Sequence, residues 1–299
     1  MQHHAAHASA LAGEHPDVDN WLVFTWDGVG YGDDGTLWGG EALSGRPGDW
    51  QRAASFRTFR LVGGDKAGRE PWRSAAALLW DAGAVGEAVG AALAAKCFDF
   101  EKGIAAKAAP TAITNSSSAI DLAHQAWQQN NNTFETSAVG RLFDAAAALV
   151  LGRGIASFEG QGPMELEHAA IAGCEPVELP IVEDSGHLLR SDWTPLLDVL
   201  ADTNIPKGER AGIFHETMAQ ALVDQLLALR KTVSVDAVGL SGGVFQNRFL
   251  TERVVDKLEG LGIDVRLHRD VPANDGGLCF GQVLSLIHIS EPTRPTRAS

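Results

Sequence analysis

Residues 235–247 read Val-Asp-Ala-Val-Gly-Leu-Ser-Gly-Gly-Val-Phe-Gln-Asn. The apolar run from Val235 to Leu240 predicts a buried strand, and the two glycines after Ser241 predict a tight turn at its end. Apolar residues at helical spacing predict one long amphipathic helix before this strand, over 206–231. Another helix is predicted after the turn, over about 248–260.

The rest of the C-terminal region repeats this order of elements. Residues 263–268 predict another strand, Asn274-Asp275-Gly276-Gly277 predicts a second glycine turn, and a last helix follows. Helices that alternate with strands ending in glycine turns are typical of an α/β domain with ligands at the C-terminal ends of its strands.

A similar pattern occurs near the start of the chain. The aromatic run from Trp21 to Trp26 predicts a strand, and the Gly- and Asp-rich stretch from Asp27 to Gly35 predicts a tight turn after it. Glycines there allow backbone N–H groups to approach an anion closely. Asp27 is thus expected at the end of a strand, where open α/β sheets place functional groups.

The middle of the chain is mainly helical by its pattern. Three asparagines at 130–132 predict a polar loop and a lobe boundary. The predicted helices are about 72–82, 85–96, 118–129 and 138–151.

The composition disfavours several classes of function. A formal charge of −14 over 299 residues repels a phosphate backbone, so we expect no nucleic-acid partner. No apolar run reaches about 18 residues, so we expect no membrane partner, and with no signal peptide we predict a cytoplasmic protein. The three cysteines are far apart and form no CxxC pair, which predicts reduced thiols packed in the core.

A histidine pair lies at the start of the chain. His3 and His7 are four residues apart in a stretch rich in alanine, so on a helix they share one face and can bind one metal ion. Such a pair needs one or two further ligands from elsewhere in the chain. The sequence around the pair leaves open an affinity-tag remnant and the cut edge of a larger domain.

The last fifteen residues, 285–299, differ from the rest of the chain. Residues 285–294 resemble the translation of a transposase-type sequencing adapter, and Pro292 and Pro295 exclude a continuing helix there. We therefore interpret 285–299 as a non-native tail and 1–284 as the domain. A natural disordered tail is the alternative.

Seven stretches, in order along the chain, resemble the NiFe-hydrogenase maturation carbamoyltransferases (HypF), and specifically their C-terminal carbamoyl-transfer domain. A single glycine motif would be weak, but seven in order are a specific signal. The stretches are Gln2 to His7, Trp26 to Glu41, Gly63 to Lys66 with Glu70 to Arg73, Gly140 to Asp144, Phe158 to Gln161 with Met164 to Glu167, Ser241 to Arg248, and Asn274 to Gly277.

The resemblance implies a fold and an activity. The fold is α/β, the two-lobed actin-like ATPase (ASKHA) fold, here with its first lobe truncated at the N-terminus. The activity is transfer of a carbamoyl group from carbamoyl-adenylate, made from ATP, to the C-terminal cysteine of a HypE-type maturation protein, for the cyanide ligands of the hydrogenase. Family members carry further domains before the histidine pair, so we expect this chain to be incompetent alone.

The resemblance also implies a metal site. Residue by residue, the ligands of the family match His3, His7, Asp27 and Asp275, whereas His4 is expected to be no ligand. Two histidines and two carboxylates suit a divalent ion, either iron or zinc. Taken singly, Asp27 and Asp275 are more readily interpreted as turn-forming residues.

The nucleotide site is implied in the same way. Asp144 matches the residue that holds ribose hydroxyls in related enzymes, although a polar residue on the rim of an apolar helix is the alternative. The basic residues Lys66, Arg69 and Arg73 either meet phosphate or are solvated. The other residues matched to the nucleotide are Gly160, Gln161, Glu165, Gly242, Gly243 and Asn247.

Alternative functions remain on the same fold. One is an inactive fragment that retains only the metal- and nucleotide-binding residues. Others are a related carbamoyltransferase, a tRNA-modifying enzyme and a sugar-kinase-like phosphotransferase, for which we find no specific motif.

Overall fold

The computed structural model describes residues 2–84, Leu93, Cys97 and residues 116–290. The predicted helix at 85–96 therefore lies almost entirely outside the described residues, as do residues 291–299. The helices are α1 (His3–Glu14), α2 (Trp72–Asp81), α3 (Ser116–Gln128), α4 (Val139–Leu151), α5 (Gln161–Ala169), α6 (Leu196–Ala201), α7 (Lys207–Leu229), α8 (Arg248–Gly260) and α9 (Leu278–Ser290). The strands are β1 (Trp21–Tyr31), β2 (Leu37–Arg46), β3 (Asp49–Phe56), β4 (Phe59–Val62), β5 (Thr133–Thr136), β6 (Ile181–Glu183), β7 (Leu189–Ser191), β8 (Ala237–Ser241) and β9 (Val265–Arg266).

All nine described strands belong to one mixed sheet. Its main path runs β6-β7-β3-β2-β1-β8-β9, and β5 joins β4 to β2. The β1–β2 and β2–β3 pairs are antiparallel hairpin pairs, whereas β1–β8 and β8–β9 are parallel. The predicted α/β class is confirmed, and β8 with α7 and α8 follows the prediction within a few residues.

Helices cover both faces of the central strands. In β1, Leu22, Phe24 and Trp26 face one side and pack in the large core with α4 and α7. Trp21 and Val23 face the other side and pack against Leu11 and other apolar residues of α1. A strand that is buried on both faces has no polar side, which explains why Thr25 is the one polar residue from Trp21 to Trp26.

The structure corrects the prediction of a turn directly after Trp26. Strand β1 continues to Tyr31, and Trp26 pairs with Gly40 while Gly30 pairs with Trp38, so three residues of β1 face a single residue of β2. This bulge releases Asp27 from the regular ladder. The chain reverses only at residues 32–36, where the Gly32 N–H donates to the Thr36 carbonyl at 2.9 Å.

Two further segments concern the predicted lobe boundary and the predicted tail. Residues 130–132 connect α3 to β5, and β5 pairs with β4 and β2 of the same sheet, so the strands on both sides of the asparagines are joined. Helix α9 continues through residues 285–290, and the buried Ser285 hydroxyl lies 2.6 Å from that of Ser9. Within the described part of the chain, no helix has the length and apolarity that crossing a membrane requires.

Candidate metal and nucleotide site

Helix α1 places two imidazoles at the edge of the sheet. The Gln2 side chain accepts a hydrogen bond from the Ala5 N–H at 2.7 Å and so caps the helix. His7 is buried and His3 is half-buried on the same helix face, because i and i+4 residues lie above one another. The helix predicted around this pair is confirmed.

Asp27 projects from the bulge of β1 toward both imidazoles. Its Oδ2 lies 3.3 Å from His3 Nε2 and 3.1 Å from His7 Nε2, and its Oδ1 accepts from the Gly28 N–H at 2.7 Å. Burial raises the pKa of the Asp27 carboxyl, but the hydrogen bonds with His3 and His7 outweigh it and hold the pKa far below its usual range. Asp27 is therefore a carboxylate at neutral pH.

Asp275 reaches the same point from the other end of the chain. It begins a short 3₁₀ turn before α9, and its Oδ1 lies 3.5 Å from His3 Nε2 and 3.4 Å from His7 Nε2. One ligand atom from each of His3, His7, Asp27 and Asp275 lies within 4.8 Å of the others. The four residues that the resemblance implies are thus brought together.

This donor set suits a divalent ion. A tetrahedral ion with bonds of about 2.1 Å holds its ligand atoms about 3.4 Å apart, and the four nitrogen–oxygen separations here are 3.1 to 3.5 Å. Two imidazoles and two carboxylates are ligands shared by zinc and iron. The residues therefore fit the ion that the resemblance implies.

His4 lies behind this cluster without joining it. Its side chain is fully buried, and neither ring nitrogen has a hydrogen bond within the described residues. Burial lowers the pKa of His4 to about 4, so the ring is neutral at physiological pH. Gly30 makes room for it, because a Cβ at Gly30 would lie 2.5 Å from His4 Nε2.

A cavity of about 780 Å³ opens beside the cluster. Asp27 and Asp275 line one part of its wall, and Asp144 lines another. Among the residues matched to a nucleotide, the wall contains Asp144, Gly160, Gly243 and Asn247.

Three other matched residues lie outside this wall and have structural partners. Glu165 forms two hydrogen bonds with Arg153 at 2.7 and 2.8 Å, and Gln161 donates to Glu165 at 2.9 Å. Gly242 has φ of 103°, and a Cβ there would lie 2.2 Å from the Trp26 carbonyl oxygen. Gly242 is thus required for the close contact between the end of β8 and β1.

Asn247 lines the cavity, but its amide already has two partners. Its Oδ1 accepts from the Leu250 N–H at 2.9 Å as the N-cap of α8, and its Nδ2 donates to His215 Nε2 at 2.9 Å. Burial lowers the pKa of His215 to about 4, although the hydrogen bond to the Ala211 carbonyl opposes this, so the ring is neutral and can accept. A nucleoside can use only the remaining hydrogen-bonding capacity of this amide.

Arg141 is a cavity residue that the sequence interpretation did not assign. It is the one lysine or arginine among the lining residues of the described chain, and its side chain is buried between Asp144 and Glu159. Its Nη2 lies 3.1 Å from the position of a Cβ at Gly28, so it stands between the Asp27 end and the Asp144 end of the cavity. Arg141 lies within the stretch from Gly140 to Asp144, which carries part of the family resemblance, so the sequence held a signal for it.

The remaining polar candidates lie elsewhere. Lys66, Arg69 and Arg73 are absent from the cavity wall of the described chain, and Arg73 pairs with Glu70 at 2.6 Å. The cysteines are also absent from that wall. The prediction that they pack in the core is right for Cys97 but wrong for Cys279, which is exposed, and Cys174 is half-buried.

Comparisons with known proteins identify relatives of this chain. Residues 23–282 match the family model described as "Carbamoyltransferase, Kae1-like Domain, second subdomain". Carbamoyltransferase HypF of Rhodobacter capsulatus is 37% identical over 95% of this chain, and that of Synechocystis is 33% identical over 96%. A carbamoyltransferase HypF homolog of Cupriavidus necator is 32% identical, and the match covers 94% of this chain and 69% of that protein.

A solved structure has the same fold. The crystal structure of full-length HypF in the phosphate- and nucleotide-bound form matches 98% of this chain with a TM-score of 0.82 and 28% identity. The match covers 36% of that chain, and 35% and 37% of the Rhodobacter and Synechocystis proteins. The chain thus spans just over a third of the length of these relatives.

Proposed function

This chain belongs to the family of HypF carbamoyltransferases, and from that premise we propose that its site transfers a carbamoyl group from carbamoyl-adenylate to a cysteine thiolate. The observation that carries the proposal is the convergence of His3, His7, Asp27 and Asp275 at the wall of one cavity that also contains Asp144. The nine-stranded sheet would belong to a two-lobed actin-like ATPase fold.

The cavity residues suit an adenylate as the ligand. Asp144 can accept hydrogen bonds from ribose hydroxyls, because its Oδ2 has an ion-pair contact with Arg141 at 3.2 Å but no hydrogen bond within the described residues. Arg141 can donate to a phosphate placed between that ribose and the Asp27 end of the cavity. The carbamoyl group would then lie next to the four-residue cluster.

The residues of the cluster would hold a divalent iron or zinc ion through His3 Nε2, His7 Nε2 and the carboxylates of Asp27 and Asp275. Such an ion supplies Lewis acidity where negative charge develops during acyl transfer. The hydrogen-bonding partners of Asp27, including the Gly28 N–H, keep its carboxylate oriented.

The nucleophile in this proposal comes from the partner. The thiolate of the C-terminal cysteine of a HypE-type protein attacks the carbamoyl carbon, a carbon–sulfur bond forms, and the bond to the phosphate oxygen breaks so that AMP leaves. Arg141 would stabilise the charge on the departing phosphate. No cysteine lines the described cavity wall, and the step needs none from this chain.

A transfer assay tests the proposal. The metal-loaded chain is mixed with freshly prepared carbamoyl-adenylate and a HypE-type protein, and intact mass spectrometry measures the carbamoylated cysteine. Because carbamoyl-adenylate is supplied directly, the domains that precede the histidine pair in longer family members are not needed, and we expect transfer with the wild-type chain and its loss in Asp275→Ala. Metal and nucleotide binding without any transfer would instead support the alternative that the chain only binds them.

A further inference from the structure

The last residue of α1 holds the segment that leads to Asp275. Oε1 of Glu14 accepts hydrogen bonds from the N–H groups of Arg269, Asp270 and Val271 at 3.2, 2.7 and 3.0 Å. Oε2 of Glu14 accepts from His268 Nδ1 at 2.8 Å. One carboxylate therefore fixes four consecutive residues, 268–271. The last of them lies four positions before Asp275.

The same contacts return to the histidine pair. His268 Nε2 lies 2.9 Å from the Ser241 hydroxyl, and that hydroxyl donates to the His7 carbonyl at 3.2 Å. The order of Ser241, His268 and Glu14 resembles a hydrolase triad. However, Ser241 is fully buried and absent from the described cavity wall, so no substrate reaches it. These contacts connect α1, β8 and the 268–274 segment.

Glu14 is not explained by helix stability. An acidic residue at the C-terminus of a helix opposes the helix dipole. Burial also disfavours its charge, yet the backbone N–H groups of Asp270 and Val271 outweigh burial and lower the pKa of Glu14. The carboxylate is therefore matched to the 268–271 segment rather than to its own helix.

Asp275 is the ligand candidate that depends most on its loop. His3 and His7 lie on a helix packed against the sheet, and Asp27 lies on β1. Asp275, by contrast, has a side chain with 70% exposure and follows a segment, 267–274, without helix or strand. The position of Asp275 relative to the other three is set on one side by α9, which packs against α1, and on the other side by what holds that segment.

We infer that Glu14 is a positioning residue that fixes the 268–274 segment so that Asp275 meets His3, His7 and Asp27. This inference rests on the proposed metal site. Loss of a group that orients a metal ligand typically lowers metal affinity about 10–100-fold. Because Glu14 acts through Asp275, its removal should matter only while Asp275 is present.

A Co²⁺ titration of the 299-residue chain tests the inference, with visible absorption reporting the coordination of the ion. We expect Glu14→Ala to bind Co²⁺ about 10–100-fold more weakly than wild type, and Glu14→Ala combined with Asp275→Ala to bind no more weakly than Asp275→Ala alone. Glu14→Gln keeps an oxygen for the three backbone N–H groups, so it should recover most of the affinity.

Asp17→Ala is the matched control. Asp17 has the same charge, lies just after the same helix, and pairs with Arg266 at 3.1 Å, next to the segment. We expect its Co²⁺ affinity to stay within about twofold of wild type, as for a solvent-exposed ion pair. Equal loss in Asp17→Ala and Glu14→Ala would mean that net charge, not positioning, sets the affinity, and would overturn the inference.

Hydrogen exchange gives a second measurement without any metal. Amides of 268–277 should exchange faster in Glu14→Ala than in wild type, while those of α7 should not change. If Glu14→Ala binds Co²⁺ with wild-type affinity and its amides exchange at the wild-type rate, the inference about Glu14 is overturned, while the proposed metal site is not affected. If Glu14→Ala does not fold, the Co²⁺ titration and the hydrogen exchange are measured on Glu14→Gln. A Co²⁺ affinity of Glu14→Gln as low as that of Asp275→Ala would overturn the inference about Glu14. A wild-type chain that binds no Co²⁺ would overturn the metal site itself.

Discussion

Nη1 of Arg141 lies 3.2 Å from Oδ2 of Asp144, one helical turn away, and both side chains are buried in the cavity wall. Even so, burial raises the pKa of Asp144 to about 6, because the attraction of Arg141 offsets only part of it. The cavity therefore holds a carboxylate at a cost in stability, as is common for binding sites.

The first prediction is a pH dependence of stability that Asp144 causes. A carboxyl whose pKa is raised on folding binds its proton more tightly in the folded state, so the wild-type chain gains stability as pH falls. Between pH 7.5 and 5, the free energy of unfolding of the wild type should rise by about 1 kcal/mol relative to Asp144→Asn. Urea unfolding of both chains at the two pH values measures this difference. Parallel pH profiles would contradict it.

The second prediction concerns the contact between α1 and α9. A Cβ at Gly281 would lie 1.9 Å from the Ala6 carbonyl oxygen, so the helices approach closely only because this residue is glycine. We expect Gly281→Ala to lower the free energy of unfolding by about 1–3 kcal/mol, as overpacked substitutions do. Thermal and urea unfolding measure the change.

Gly260→Ala is the control for this substitution. Gly260 ends α8, and a Cβ there meets nothing within 4 Å. The alanine should be neutral or stabilising by up to about 1 kcal/mol. If Gly281→Ala were equally well tolerated, the two helices would not be packed as described.

The third prediction separates the two roles of Asn247. Asn247→Ala removes the cap of α8 and the donor to His215, so we expect a loss of about 2 kcal/mol in the free energy of unfolding. Asn247→Asp keeps the cap but sets a carboxylate oxygen opposite His215 Nε2. The pKa of His215 should then rise from about 4, which an NMR titration measures. An unchanged titration of His215 would contradict the described contact.

Local sequence patterns predicted the α/β class, the helices α7 and α8, and the strand β8, because these elements have a clear apolar period. The continuation of β1 past Trp26 was not predicted. Asp27, Gly28 and Gly30 favour a turn locally, but pairing with β2 on both sides of a bulge keeps them within the strand. Tertiary pairing of this kind is invisible in a single sequence.

The four-residue cluster was identified from the resemblance rather than from geometry. The contacts of Glu14 with 268–271 were missed, because they join two distant segments through backbone N–H groups that carry no sequence signal. Arg141 was missed for another reason, since only Asp144 was assigned from the motif that contains both. The participation of residues 285–290 in α9 was missed because their adapter-like character led to their exclusion.

The central claim is that His3, His7, Asp27 and Asp275 form one metal site, and metal content tests it most directly. The wild-type chain, His3→Ala and Asp275→Ala are purified in parallel and analysed for bound iron and zinc by mass spectrometry. His187→Ala is the control, because this histidine is 90% exposed on a distant hairpin. We predict that both ligand variants lose metal and that His187→Ala retains it. Equal metal content in all four chains would contradict the account.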